Sequence, residues 1–393
     1  MIISRRLIMF ERAMLFSPNR LLFIYCTYGW LAANLLAAQI PTQSLFFVAL
    51  RDSWVFIFIA ILLSSRRRSD VVLSASIFLL SLLGATAFSE GAIQTTDILI
   101  YFYGFRDLCL IALVFYVLSS EDLWVPSAYI YGFVYLVAGL FFLQVVSQLT
   151  GFEEQYRQLF NLDAYYRAKG VSITLAGGFF GERPGLPFYS PGLIAELCAG
   201  FILLKNPFVG RWLLWVLSVL TLSKVALYYL VLRLFRKVYL LMLVISISLI
   251  PLIIGALELA KEEYPNSLIS MHGNSVVEHI SPLQYITDKD FSFLPDRLGS
   301  SSIVAALLKG VDSSEAPESM LIGRLLDYNY LSIFIVCLVI WMFFNLREER
   351  RFLFVVFIGL QFLTGMANHP VGFLPIIYFA FVNSPKRARL LSN

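Results

Sequence analysis

Long apolar runs recur along this chain, each closed by a short polar or charged break. About 17 to 25 apolar residues are needed to cross the hydrocarbon core of a bilayer. On that measure the pattern predicts helices at 21–37, 45–63, 71–88, 98–118, 128–146, 191–204, 212–222, 225–235, 238–257, 328–344, 352–366 and 371–382. The seventh and eighth are short and meet around 221–224, which predicts a re-entrant or broken pair. Two polar stretches interrupt the series, 147–190 and 258–327, and Pro265, Pro282, Pro295 and Pro317 divide the second into short pieces. The predicted fold is an all-α polytopic membrane protein of about 12 transmembrane helices with two long outer loops. Its parts are N-terminal transmembrane helices over 1–146, a first long loop over 147–190, central transmembrane helices over 191–257, a large cap loop over 258–327, and C-terminal transmembrane helices with a tail over 328–393.

Charge orients the series. With the N-terminus inside, the arginines at 66–68, Lys205 with Arg211, then Arg233, Arg236 and Lys237, then Arg347, Arg350 and Arg351, and finally Lys386, Arg387 and Arg389 all fall on the cytoplasmic side. Reading 212–235 as one span would strand the last three of these clusters outside. Both termini are therefore expected inside, and the two long loops on the extracytoplasmic face. Composition agrees: 59% of residues are hydrophobic, 14% are charged and the mean hydropathy is +0.77, well outside the range of a soluble domain. Arg5, Arg6, Glu11, Arg12 and Arg20 interrupt the start too often for a cleaved secretory leader, so a retained cytoplasmic tail is expected. Cys26, Cys109, Cys198 and Cys337 lie in apolar runs with no paired spacing, which predicts buried, unpaired thiols.

Some charges do not follow from orientation alone. Arg51-Asp52 precedes Ser64-Ser65, and Arg106-Asp107 precedes Ser119-Ser120 at the same spacing, an internal echo between the second and fourth predicted spans. At about 1.5 Å per residue each pair lies roughly 18 Å from the cytoplasmic end of its helix. Mutually compensating charges that lock helices together are the first reading, and a functional intramembrane pair is the second. Arg157, Arg167, Lys169, Arg183, Lys224, Lys261, Lys289, Arg297, Lys309 and Arg324 are all expected at the outer side or its interface. An ordinary solvated role suffices for Lys261, Lys289 and Lys309. Arg183 and Lys224 sit at or beside span ends, where a cation needs an anion or a dipole. Guanidinium forks match phosphate oxygens, so converging cations at the outer leaflet point to a phosphorylated, membrane-embedded ligand. A lipid-linked diphosphate fits better than a soluble nucleotide, since neither a Walker-type phosphate loop nor a dinucleotide fingerprint occurs.

Four motifs in order carry a resemblance. Gly181-Glu182-Arg183-Pro184-Gly185-Leu186-Pro187-Phe188-Tyr189-Ser190-Pro191 opens a span; Thr221-Leu222-Ser223-Lys224 joins two short spans; Asp296-Arg297 lies in the large loop; and Asp327-Tyr328-Asn329-Tyr330-Leu331 leads into the next span. This set resembles the bacterial O-antigen and exopolysaccharide repeat-unit polymerases of the Wzy type, grouped with the O-antigen ligases. Lys224 stands where that family commonly has Arg, and Asp327 where a ligase would show His, which favours polymerase over ligase. The resemblance implies a GT-C-like fold in the bacterial inner membrane. It implies transfer of a growing glycan from undecaprenyl diphosphate to the next lipid-linked oligosaccharide repeat unit, with a chain-length regulator and a repeat-unit flippase as possible partners and no nucleic acid. Arg183, Lys224 and Arg297, with Arg167 in second line, would stabilise the diphosphate leaving group. Asp327, with Glu196 behind it, would be the base for the acceptor hydroxyl. A ligase to lipid A core shares this donor chemistry, and a lipid-linked oligosaccharide flippase is the rival of another class.

No cofactor is expected. His272, His279 and His369 are isolated, and the first outer turn, 40–44, lacks the Asp-x-Asp of metal-dependent lipid-linked sugar transferases, so metal-independent catalysis is predicted. Aromatic residues make up 16% of the chain, and interfacial belts account for most of them. Sugar stacking is reserved for outer-loop residues such as Tyr156, Tyr165, Tyr166 and Tyr189.

Overall fold

The computed structural model describes residues 18–40, 44–86, 94–120, 127–161, 291–301 and 320–363, with 176–178, 181–182, 197–198, 214, 216, 220, 305 and 370. Among these, α1 (Pro18–Ile24) runs through a π-helical turn (Tyr25–Gly29) into α2 (Trp30–Gln39). It is followed by α3 (Ser44–Asp52), α4 (Trp54–Ser64), α5 (Arg68–Ala85), α6 (Thr95–Ser119), α7 (Ser127–Thr150) and α8 (Glu153–Leu159). Further on come β1 (Ala176–Gly178), β2 (Gly181–Glu182), α9 (Met320–Tyr328), a 3-10 turn (Asn329–Leu331), α10 (Ser332–Asn345) and α11 (Glu348–Leu363). The described regular elements are thus helical apart from one short antiparallel hairpin, β1–β2.

Among the described residues, five stretches are long and apolar enough to cross a membrane: Pro18–Ala37, Arg68–Ala85, Thr95–Ser119, Tyr131–Thr150 and Met320–Asn345. The chain is accordingly an α-helical membrane protein. These stretches match the predicted spans at 21–37, 71–88, 98–118, 128–146 and 328–344, while the predicted spans between 191 and 257 and the last one, 371–382, lie outside the described residues apart from isolated positions. The second predicted span differs. It breaks at Ser53, whose backbone N–H and hydroxyl both turn back to the Leu50 carbonyl, at 3.3 and 2.7 Å. The Tyr25 phenol, from the π-helical turn, also donates to that carbonyl. Three donors on one carbonyl replace the regular i to i−4 ladder, which explains why Arg51-Asp52 sits at a helix end whereas Arg106-Asp107 sits within the unbroken α6.

The chain divides into two compact units. The first comprises Met1–Asp70, Ser120–Leu230 and Pro370–Asn393. Its core packs Phe23, Trp30 and Leu31 against Phe133, Val137 and Phe141 of α7. Tyr28 anchors this seam: its ring meets Phe133 edge-on at 5.3 Å, and its hydroxyl donates to the Tyr129 carbonyl at 2.7 Å. Helix α7 ends at Gly151, whose φ of +77° permits the Phe152 N–H to reach back to the Ser147 carbonyl at 2.9 Å. The chain then folds back as α8, where Tyr156 is buried and donates to the Leu140 carbonyl at 2.9 Å. Burial pushes the Tyr156 phenol pKa up, and the side chain is a packing residue, not the sugar-stacking platform expected of it.

The second unit comprises Val71–Ser119 and Val231–His369. Helices α5 and α6 are antiparallel, as Ser81 bonds Tyr101 at 2.5 Å while Ile77 and Leu80 lie level with Leu108 and Ile111. Helices α6 and α10 are parallel. Ile335 lies level with Leu108 and Ile111, the Phe115 and Trp341 rings meet at 5.3 Å, and just beyond α10 Arg350 donates to the Leu118 carbonyl at 2.5 Å. Consequently the arginines at 66–68, which lead into α5, and Arg347, Arg350 and Arg351, which open α11, sit at one end of this bundle. Ile333, Phe334, Val336, Ile340 and Phe344 of α10 are exposed, an outward apolar face suited to lipid. Cys337 shares that face, so it is exposed rather than buried as expected; Cys26, Cys109 and Cys198 are buried, and all four are free thiols.

Candidate functional site

At the other end of the α5–α6–α10 bundle, the segment Phe291 to Ser301 is fastened to the start of the last described span. Asp327, the next-to-last residue of α9, is fully buried. Its Oδ2 accepts from the Gly299 N–H at 2.8 Å, and its Oδ1 accepts from the Ser301 N–H at 2.7 Å and the Ser300 hydroxyl at 3.0 Å. Its own carbonyl accepts from the Asp296 N–H at 2.6 Å. Two residues on, Asn329 takes up a left-handed φ of 49°, a conformation that asparagine tolerates better than most residues. From there its Nδ2 donates to Ser292 Oγ at 3.0 Å and to the Leu294 carbonyl at 2.9 Å. The Asp327-Tyr328-Asn329 motif is therefore a clasp holding both ends of the loop that carries Asp296-Arg297. Tyr328, between the two gripping residues, points inward and donates to the Leu80 carbonyl of α5 at 2.5 Å.

Three glycines let the loop lie this low. Gly299 has φ +91°, and a methyl there would run into the Ile100 carbonyl of α6. A methyl on Gly84 would stand 2.7 Å from Leu298 Cβ, and one on Gly104 would stand 2.7 Å from the Gly299 nitrogen and against the Arg324 guanidinium. Gly104 is thus the seat of both the loop and Arg324.

Arg324 itself was expected at the outer side or its interface, in the large polar loop. It is completely buried within helix α9, with Nη1 2.6 Å from Asp327 Oδ2 and Nε 3.7 Å from Asp107 Oδ2. The sequence placed it in a polar loop, but α9 starts earlier than the predicted span and carries Arg324 into the helical packing, one turn before Asp327. Asp107 is shared: Arg106 Nη2 approaches its Oδ1 at 2.9 Å. The buried chain Arg106, Asp107, Arg324, Asp327 alternates in sign and sums to zero, the condition under which charge is tolerated away from water. In the echo pair Arg51-Asp52, Arg51 Nη2 lies 2.9 Å from Asp52 Oδ2 and the guanidinium stands over the Trp30 ring of α2 at 5.8 Å. Each arginine pairs first with its own neighbour, and Asp107 also reaches a second helix, the helix-locking role expected of these charges.

Arg297 behaves differently. It pairs with Asp97 in the first turn of α6 and keeps 27% of its side chain exposed, against 1% for Arg324. Asp97 has a second anchor, since its Oδ2 accepts from the Gln94 N–H at 3.1 Å, the return arm of a helix-capping arrangement. Among the described cations of this end, Arg297 is the one within reach of a ligand.

Of the expected site residues, Arg297 and Asp327 are brought together through the loop. Arg183, Lys224, Arg167 and Glu196 lie outside the described residues, although Gly181 and Glu182, just before Arg183, form β2. Asp97 and Gly104 belong to the site but were not singled out in the sequence, while Arg324 stood there only among the outer-side cations and Asn329 only within the Asp327 motif. Only Asp97 left a usable trace, an acidic residue in the third position of a helix opening after Gln94. Asp327 has both oxygens engaged, by three hydrogen-bond donors and by the ion pair with Arg324, an arrangement that suits a residue fixing a loop. Among the described residues, no group of three or more His, Cys, Asp or Glu side chains is placed to hold a metal ion. No family model, curated protein or solved structure matches this chain.

Proposed function

We propose that this protein polymerises undecaprenyl-diphosphate-linked oligosaccharide repeat units at the periplasmic face of the bacterial inner membrane, as a metal-independent glycosyltransferase of about 12 spans with both termini cytoplasmic. The acceptor sugar hydroxyl attacks the anomeric carbon of the donor glycan, the bond from that carbon to the diphosphate oxygen breaks, and undecaprenyl diphosphate departs. Arg297, Arg183 and Lys224, with Arg167 behind them, neutralise the charge that grows on the leaving oxygen. Asp327 keeps the Arg297 loop in place, and Glu196 takes the acceptor proton.

One observation carries the reading: Asp296-Arg297 and Asp327-Tyr328-Asn329, about thirty residues apart in sequence, form one locked structure at the end of the bundle away from the arginine clusters. Arginine clusters mark the cytoplasmic side, which supports an outward-facing Arg297. A preset cation at that level suits a lipid-borne diphosphate, whose headgroup is confined to the same depth.

A deletion strain scored by its surface-polysaccharide ladder tests this. Single repeat units on the core support the proposal, and Arg183→Ala should reproduce them. A core bare of repeat units, with normal lipid-linked polymer, would instead indicate a ligase.

A further inference from the structure

We infer that Asp97 is a specificity-determining residue: it occupies Arg297 as a resident counter-anion that a diphosphate headgroup displaces and a singly charged phospholipid headgroup does not. The inference rests on the proposed diphosphate ligand and adds how the site selects it.

The argument starts from the neighbourhood of Arg297. An uncovered guanidinium at a membrane surface is a binding site for any anionic lipid, because one charge-assisted hydrogen bond to phosphate resembles another. Here the guanidinium is engaged by the Asp97 carboxylate, so an incoming anion has to compete with a full negative charge. A phosphodiester brings one charge and exchanges like for like, with no net gain. A diphosphate brings two or more charges and several acceptor oxygens, so it outbids the carboxylate electrostatically.

The local structure permits that exchange at low cost. When Arg297 leaves, Asp97 retains the Gln94 N–H at 3.1 Å and the positive end of the α6 dipole, so its carboxylate is not orphaned. The loop backbone stays put, held by Asp327 and Asn329, so only the Arg297 side chain moves. Arg324 has no such freedom, being fully buried between Asp107 and Asp327. Among the described ion pairs at this end of the bundle, the exposure of 27% for Arg297 and 11% for Asp97 marks this pair as open to exchange.

The test uses the full chain in nanodiscs of phosphatidylcholine, with and without phosphatidylglycerol, titrated with farnesyl diphosphate and with farnesyl monophosphate. Wild type should bind the diphosphate with an affinity that phosphatidylglycerol barely alters. Asp97→Asn keeps an acceptor for the Gln94 N–H and removes the charge. It should bind both prenyl phosphates about two- to fivefold more tightly in pure phosphatidylcholine, the range expected for losing a partly exposed ion pair. It should also lose that gain, and its preference for the diphosphate, once phosphatidylglycerol is added. Arg297→Lys, which keeps the charge, should preserve the ordering of the two ligands. If Arg297→Ala abolishes diphosphate binding while Asp97→Asn matches wild type in both bilayers, the role given to Asp97 is wrong and the functional reading stands. If wild type binds no diphosphate, both are overturned.

Discussion

Replacing Asp327 with asparagine separates the two roles open to this residue. The asparagine is nearly isosteric, but it offers one acceptor oxygen where two oxygens now meet the N–H groups of Gly299 and Ser301, the Ser300 hydroxyl and the Arg324 guanidinium. Its amide hydrogens would face at least one of those donors. Arg324, which is 1% exposed, would keep only Asp107 at 3.7 Å, and Asp107 is already engaged by Arg106. Removing one partner of a buried ion pair costs about 3–5 kcal/mol. At roughly 2 °C per kcal/mol for a chain this large, the apparent melting temperature should fall by about 6–10 °C. The native thiols report it: Cys26, Cys109 and Cys198 are buried in helix packing and react with a maleimide dye only as the helices open. Adding Arg324→Met removes the stranded cation and leaves Arg106 with Asp107, so the double variant should lose about 1–3 kcal/mol less than the two single losses added together. An Asp327→Asn protein that melts like wild type yet makes no polymer would refute this reasoning and return Asp327 to the role of base.

Two further outcomes follow from the same geometry and from the sequence. Gly299→Ala places a methyl against the Ile100 carbonyl at a φ of +91°, so the loop should lift; we expect about 2 kcal/mol or more of destabilisation and new trypsin cleavage at Arg297, read on a gel. Activity should survive EDTA in a polymerisation assay, and loss of activity restored by a divalent ion would contradict metal-independent transfer.

The sequence was informative wherever a charge had to be explained by lipid. Apolar runs closed by polar or charged breaks located α5, α6, α7 and α10, because hydrocarbon imposes a length and a boundary that few other environments do. It was poor at deciding which way a helix faces. In α10, Ile335 is buried and Ile333 is exposed, yet both are isoleucines, since the lipid-facing and packed sides of such a helix are equally apolar. Cys337 was misjudged for that reason. The break at Ser53 was invisible because its cause is the Tyr25 phenol, distant in sequence, and Arg324 was misplaced because the glycine that seats it, Gly104, lies in another helix. Asp296-Arg297 and Asp327-Tyr328-Asn329 were singled out as separate motifs. Their union depends on backbone N–H groups of Gly299 and Ser301, which no side-chain pattern reveals.

The most direct measurement places purified protein in proteoliposomes with an undecaprenyl-diphosphate-linked repeat unit and follows glycan length together with released undecaprenyl diphosphate. The account predicts a ladder, one lipid diphosphate released per linkage, and a loss on the order of a hundredfold or more in rate for Arg297→Ala, the magnitude typical of removing an electrostatic stabiliser of the leaving group. Wild-type protein that leaves the repeat units unlinked, or an Arg297→Ala variant that links them at the wild-type rate, would contradict it.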